Sequence, residues 1–247
     1  MSQSEIICGR NSVSEALKGQ RSVNKILVAK GDHQGSLKSI IGQALKQGII
    51  VQEMESTKLT ALVPGEQHQG IVAYVAPIQY VEVEDILAAA AAKGEPPFLV
   101  ILDELEDPHN VGAILRSADA AGCHGMLLPK RRTAPISATV AKTSAGAIEY
   151  VPIARIGNVV QTLEKLKKQG IWIVGADMDG EKNFYEADLT GPIAVVVGSE
   201  GHGLSRLTKE SCDFLVKIPM KGQMTSLNAS VACSLLLYEV LRQREMK

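Results

Sequence analysis

Short, almost unbroken apolar runs alternate with stretches of helical periodicity along the whole chain, a pattern that reads as α/β. In the first part the pattern predicts a helix over 11–18 with Asn11 or Ser12 as N-cap, a strand over 25–29, and a helix over 36–46 ended by Gly48. Strands over 49–54 and 70–76 complete a small α/β sandwich. The composition then shifts. Glu82, Glu84 and Asp85 precede five alanines (Ala88–Ala92) and the pair Pro96-Pro97, so a short helix stopped by proline is expected in a linker spanning 77–96. Beyond it the pattern predicts a strand over 98–102, a polar loop over 103–109, and a helix over 110–121 ended by Gly122. Further strands are expected at 125–128, 171–176 and 193–197, with helices at 156–169 and 229–244. Strands apolar at consecutive positions are buried on both faces, which implies a parallel sheet. The expected organisation is a domain over 1–76, the linker, and a larger domain over 97–247, with no internal repeat.

Composition narrows the class. A chain of 247 residues with 45% hydrophobic and 21% charged residues is long enough to bury a full core. Its longest apolar runs are strand-sized, so no membrane span is expected. Met1-Ser2-Gln3-Ser4-Glu5 lacks the basic-then-apolar pattern of a signal peptide, and a cytoplasmic location is the expectation. Cys8, Cys123, Cys212 and Cys233 are scattered and read as reduced thiols; the five histidines do not cluster with them, and no metal is expected. The net charge of −1 excludes bulk electrostatics as the grip on a nucleic acid. Residues 1–75 carry +2 and the remainder −3, too weak an asymmetry to point to RNA.

Two familiar nucleotide fingerprints fail. Gly198, Gly201 and Gly203 stand in the order G-x-x-G-x-G, not the dinucleotide order. Gly175 and Gly180 have P-loop spacing, but Glu181 stands where the lysine must be. Three other segments remain. The first runs from Asp103 through Pro108, His109, Asn110 and Arg116 to Gly122, passing from a strand through a polar loop into a helix, the place where open α/β sheets bind ligands. Asn110 here is equally a helix N-cap, and Arg116 equally a surface residue paired with Asp119. The second follows the strand 193–197 as Gly198-Ser-Glu200-Gly-His-Gly-Leu-Ser205; its glycines let the backbone turn tightly against a ligand, or merely turn. The third, from Ile218 through Met220, Lys221, Met224 and Ser226 to Asn228, leads into the last helix. There Ser226 or Asn228 is an N-cap candidate, and Met220 and Met224 suit a thioether or purine, or are simply core.

Together these spellings (D-P-x-N-x-G-A-I-x-R, G-S-E-G-x-G and I-P-M-x-G-x-x-x-S-L-N) resemble the SpoU (TrmH-like) family of the SPOUT RNA methyltransferases. Lys142-Thr-Ser-Ala-Gly146 adds to the likeness, and the match spans essentially all of the second part. Cys8-Gly-Arg10-Asn-Ser-Val and His68-Gln-Gly-Ile-Val resemble the family's L30e-like RNA substrate-binding domain, although Cys8 stands where a larger residue is commoner. The resemblance implies a C-terminal SPOUT domain with a deep trefoil knot, and a homodimer with the last helix at the interface. Val231, Leu235, Leu236 and Tyr238 give that helix an apolar face that fits such burial, or ordinary intrachain packing. It also implies S-adenosylmethionine as methyl donor, enclosed by Gly198, Ser199, Gly201, Ile218, Met220 and Leu227. Arg116 would act on a ribose 2′-hydroxyl, with Asn110, Glu200, Ser226 and Asn228 positioning it. Lys130, Arg131, Arg132, Lys142 and Arg10 would contact RNA. The implied substrate is a guanosine of large-subunit (23S) ribosomal RNA. Alternatives are a transfer RNA 2′-O-methyltransferase of the same family, a non-catalytic RNA-binding or ribosome-assembly module, and an enzyme for a small nucleotide.

Overall fold

A computed structural model describes residues 4–19, 21–31, 34–199 and 201–246. In chain order the elements are β1 (Glu5–Cys8), α1 (Arg10–Lys18), β2 (Val23–Ala29), α2 (Ser36–Lys46), β3 (Ile50–Met54), α3 (Ser56–Leu62), β4 (Ile71–Val75) and α4 (Val83–Lys93). There follow β5 (Phe98–Leu102), α5 (Pro108–Ala120), β6 (Gly125–Pro129), α6 (Ala138–Thr143), a single 3-10 turn at Ala147–Glu149, β7 (Ile153–Ile156), α7 (Val159–Lys168) and β8 (Trp172–Ala176). The chain ends with β9 (Lys182–Asn183), β10 (Ile193–Val197), α8 (Arg206–Ser211), β11 (Phe214–Lys217) and α9 (Ala229–Glu245).

Two compact units divide the chain: residues 1–79 with 136–150, and residues 80–135 with 151–247. In the first, a mixed sheet of order β1-β4-β2-β3 pairs β2 with β3 in parallel and the other neighbours antiparallel. The segment 136–150 is fastened to it by side chains. Arg21, whose side chain is 6% exposed, donates to the Glu5 carboxylate, to Glu149 and to the Ala76 carbonyl, and the Ser12 hydroxyl donates to Ala141.

The second unit holds a seven-stranded sheet of order β7-β6-β5-β10-β8-β11-β9, parallel throughout. Every residue of β5, β6 and β10 is buried, as expected for strands covered on both faces. One face carries the cluster of Ile86, Leu99, Ile101, Leu127, Leu163, Leu166, Ile173 and Val196; α5 and α9 pack together on the sheet as well. At the amino ends of the strands, Arg244 donates to the carbonyls of Pro96, Pro97 and Gly191 and lies over the Phe98 ring at 5.0 Å. Beside it the buried His124 accepts the Phe98 N–H at Nδ1, so its proton sits on Nε2 and faces Glu95 at 3.0 Å.

The differences from the sequence expectation have local causes. The fifth helix begins at Pro108 because Asp107 caps it, accepting from the His109 N–H, with proline at the first helical position where no N–H is needed. Asn110 is therefore inside the helix and not its cap. Helix α4 is longer than the alanine run: Glu82 and Asp85 form a capping box, and Ile86 and Ala90 are buried in the second unit. Ile156, expected in a helix, ends β7; the helix starts after the Asn158 cap. Gly180 lies where a Cβ would meet the β11 backbone, a packing reason for a glycine in the false P-loop spacing.

Candidate functional site

Strand order explains how distant motifs meet. β5, β10, β8 and β11 are neighbours in the sheet and run the same way, so the loops leaving their carboxyl ends lie side by side. The loop after β10 folds back on itself. Ser199 and Gly203 exchange backbone hydrogen bonds of 3.1 and 2.8 Å, and a Cβ on Gly198 would collide with the Gly203 carbonyl. Only glycine permits that closure, and Gly203 itself has φ +64. The buried Asp103 at the end of β5 fixes the loop's exit, its carboxylate accepting the Ser205 N–H at 2.9 Å.

A cavity of about 310 Å³ opens between this loop and the segment after β11. Gly198, Ser199, Gly201, Ile218, Met220, Leu227 and Ser226 all line it, so the six residues expected around a cofactor share one pocket with one residue expected at the acceptor. Met224 is 73% exposed and is not among the lining residues. Asp177, Met178, Lys209, Thr225 and Ala232 line the pocket without having been singled out in the sequence. The signal for Asp177 was its place directly after an apolar strand; Lys209, on a two-turn helix, carried none. Their side chains pair at 2.9 Å, with Asp177 only 4% exposed, and that carboxylate pushes the Lys209 ammonium pKa up.

Asn110 and Asn228 are joined. The Asn228 amide donates to Asn110 Oδ1 at 2.9 Å, while its own Oδ1 caps α9 by accepting from the Ser230 and Val231 N–H groups. Arg116 is exposed on α5, outside the pocket lining of the single chain. Its neighbour Ser117 bonds Ser234 of α9 at 2.7 Å. Glu200 lies outside the described residues. Of the basic residues, Lys130 and Arg131 are exposed, and Arg132 pairs with Glu104 at 2.5 Å. Lys142 sits on α6 in the first unit and pairs with Glu66 at 2.6 Å; Arg10 bonds Gln69 and Ser36. Val231, Leu235 and Tyr238 remain 40–50% exposed along α9, whereas Leu236 is buried at 1%. All four cysteines are free, and burial pushes the Cys212 thiol up to about 12. No group of three or more His, Cys, Asp or Glu among the described residues could hold a metal ion, and no described helix is long and apolar enough to cross a membrane.

Residues 97–238, which contain the whole pocket, match the family described as the SpoU rRNA methylase family. The chain belongs to that family. SpoU methylases transfer a methyl group from S-adenosylmethionine to RNA, and residues 6–81 match a second family description, RNA 2′-O ribose methyltransferase substrate binding. Among curated relatives, a candidate TrmH family tRNA/rRNA methyltransferase of Bacillus subtilis, YacO, is 50% identical over 242 residues, covering 98% of this chain and 97% of its own. A crystal structure described as an RNA 2′-O ribose methyltransferase superposes with a TM-score of 0.82 at 28% identity, over 99% of this chain and 90% of that one. The SpoU methyltransferase AviRb of Streptomyces viridochromogenes, crystallised with AdoMet, superposes with a TM-score of 0.80 at 25% identity, over 99% and 92%.

The SpoU pocket suits such a donor on its own geometry. Its volume lies at the lower end of small-molecule sites, about 300–1,000 Å³, and Val197, Ile218 and Leu227 line it together with Gly198, Gly201 and Gly203.

Proposed function

We propose that this SpoU methyltransferase methylates a ribose 2′-hydroxyl, that of a guanosine in large-subunit ribosomal RNA, in the cytoplasm. The observation that carries the reading is the single pocket in which two sequence motifs converge beside the Asn110–Asn228 bond.

The bound sulfonium supplies an activated methyl group with an excellent leaving group. The chain's task is to align the ribose oxygen and stabilise the charge it develops. Gly198 and the Ser199–Gly203 backbone pair shape the proposed donor pocket; Ser226 lines it as well. Asn228 couples the pocket to α5 through Asn110, which fixes the helix that carries Arg116. Arg116, exposed on α5, serves as a hydrogen-bond donor facing the developing alkoxide rather than as a proton acceptor. Glu200 would complete the acceptor side. Lys130 and Arg131, both exposed, would meet phosphates, whereas Arg132, Lys142 and Arg10 must first leave Glu104, Glu66, or Gln69 and Ser36.

Two further readings belong here. Val231, Leu235 and Tyr238 form an exposed stripe at i, i+4 and i+7, which a second copy of the chain would bury through α9. The order β5-β10-β8-β11, with α9 returning beside α5, fits the threading of a deep trefoil knot.

The test is transfer of labelled methyl from S-adenosylmethionine to unmodified large-subunit ribosomal RNA and, separately, transfer RNA, followed by mapping of ribose methylation. One 2′-O-methyl guanosine in ribosomal RNA is expected. Arg116→Ala should lower turnover by about 10²–10³-fold while donor affinity stays within about twofold, because Arg116 does not line the donor pocket. Label confined to transfer RNA would overturn the substrate; a collapse of donor affinity in Arg116→Ala would overturn the role.

A further inference from the structure

Among the described residues, one face of the four-stranded sheet in the first unit is only half covered. Cross-strand register places Ile6, Tyr74, Lys25 and Ile50 in one row on that face, and Cys8, Val72, Leu27 and Gln52 in the next. Helix α3 has seven residues. It closes over the second row, where Leu59, Leu62 and Val63 pack with Cys8, Leu27 and Val72. The first row lies past the helix, and Ile50 at its end is 65% exposed.

What remains is a hollow of about 470 Å³ floored by Leu27, Met54 and Leu62 and walled by Tyr74. Lys25 and Lys58 stand at its rim, and no carboxylate lines it. An apolar floor, one aromatic side chain and two ammonium groups are complementary to a flat heteroaromatic ring with anionic neighbours. A hydrophobic peptide would use the floor but not the lysines, and a basic one would be repelled by them. Unpaired RNA uses both, because a splayed base offers its face to an aromatic side chain while the flanking phosphates take the cations.

We propose that this hollow seats an unpaired nucleobase of the RNA substrate against Tyr74, with the adjacent phosphates on Lys25 and Lys58. The proposal rests on the RNA methylation reading above and concerns where the substrate is read, not what is done to it. Tyr74 is a binding residue here, remote in sequence from every residue assigned to transfer.

The test uses the full chain and two fluorescent probes, a mixed-sequence single-stranded RNA dodecamer and a blunt RNA duplex of the same length. Tyr74→Leu keeps the apolar contact with the sheet but removes the ring face; it should bind the single strand about tenfold more weakly and the duplex unchanged. Tyr74→Phe should stay within about twofold of wild type. Lys58→Gln should weaken binding and reduce the salt slope by about one. Melting temperature and S-adenosylmethionine affinity, measured on each variant, identify a variant that has merely lost its fold; Lys58→Gln, on an exposed helix position, then carries the test. Wild-type binding by Tyr74→Leu and Lys58→Gln, in a chain that still methylates RNA, overturns the hollow alone and leaves a protein partner as its occupant. A wild-type chain that holds the donor but neither binds nor methylates any RNA overturns both readings.

Discussion

The two ends of the seven-stranded sheet are built for opposite purposes. At the amino ends, side chains are spent on closing the backbone: Arg244 serves three carbonyls, His124 takes the Phe98 N–H, and Asp213 takes that of Ile173. At the carboxyl ends, a glycine loop turns back on itself and leaves a cavity where side chains could have packed. One layer of strands thus separates stability from recognition by direction alone. Substitutions at the first end should move the melting temperature and spare the donor; substitutions at the second should weaken the donor.

The sharpest way to break that division is Gly198→Ala. The added methyl meets the Gly203 carbonyl and forces the loop open. Overpacking of this kind costs about 1–3 kcal/mol. In the loop proposed to hold the donor, it should lower S-adenosylmethionine affinity by roughly one to two decades in calorimetric titration. Retained affinity would mean the loop shape does not govern the pocket. At the other end, Arg244→Ala removes a cation from three carbonyls and should cost about 2–3 kcal/mol of stability. That corresponds to a melting temperature lower by roughly 5–10 °C, with donor affinity unchanged. A weakened donor site in this variant would show that the two ends are coupled.

The smallest effect is one of pH. Burial lowers the His124 pKa, against the pull of Glu95, so the folded ring stays neutral where an unfolded one takes a proton. Stability contributed by the neutral ring is full above the ordinary histidine value of about 6.5 and is lost as pH falls from there toward the folded value. His124→Gln should therefore show a shallower loss of denaturation midpoint between pH 7 and 5 than wild type. Parallel slopes would remove His124 from the acid response.

Much of this was legible in the sequence, for reasons that differ by element. Strands β5 and β10 announce themselves because burial on both faces demands five apolar residues in succession. Pocket residues such as Gly198 and Ile218 were found because a spelling, not a pattern, marks them. Short elements escaped. β11 holds only four residues, and the two-turn helix that carries Lys209 has little room for periodicity. Asn110 has the chemistry of a cap, but Asp107 followed by Pro108, three residues earlier, is the stronger start signal and caps the helix. The placement of 136–150 in the first unit rests on contacts such as Ser12 to Ala141, a separation of 129 residues that no local reading reaches.

That last arrangement has a consequence for the order in which the molecule is made. Arg21 emerges early from the ribosome, yet Glu149, one of its two carboxylate partners among the described residues, is synthesised 128 residues later. A nascent chain cut at residue 79 holds the sheet but not α6 or the 3-10 turn, and Arg21 keeps Glu5 but lacks Glu149. Domains generally fold in the order they appear, but here the amino-terminal unit is finished only after more than half of the polypeptide has been translated. A fragment trimmed to the apparent boundary would be an unfinished object rather than an isolated domain.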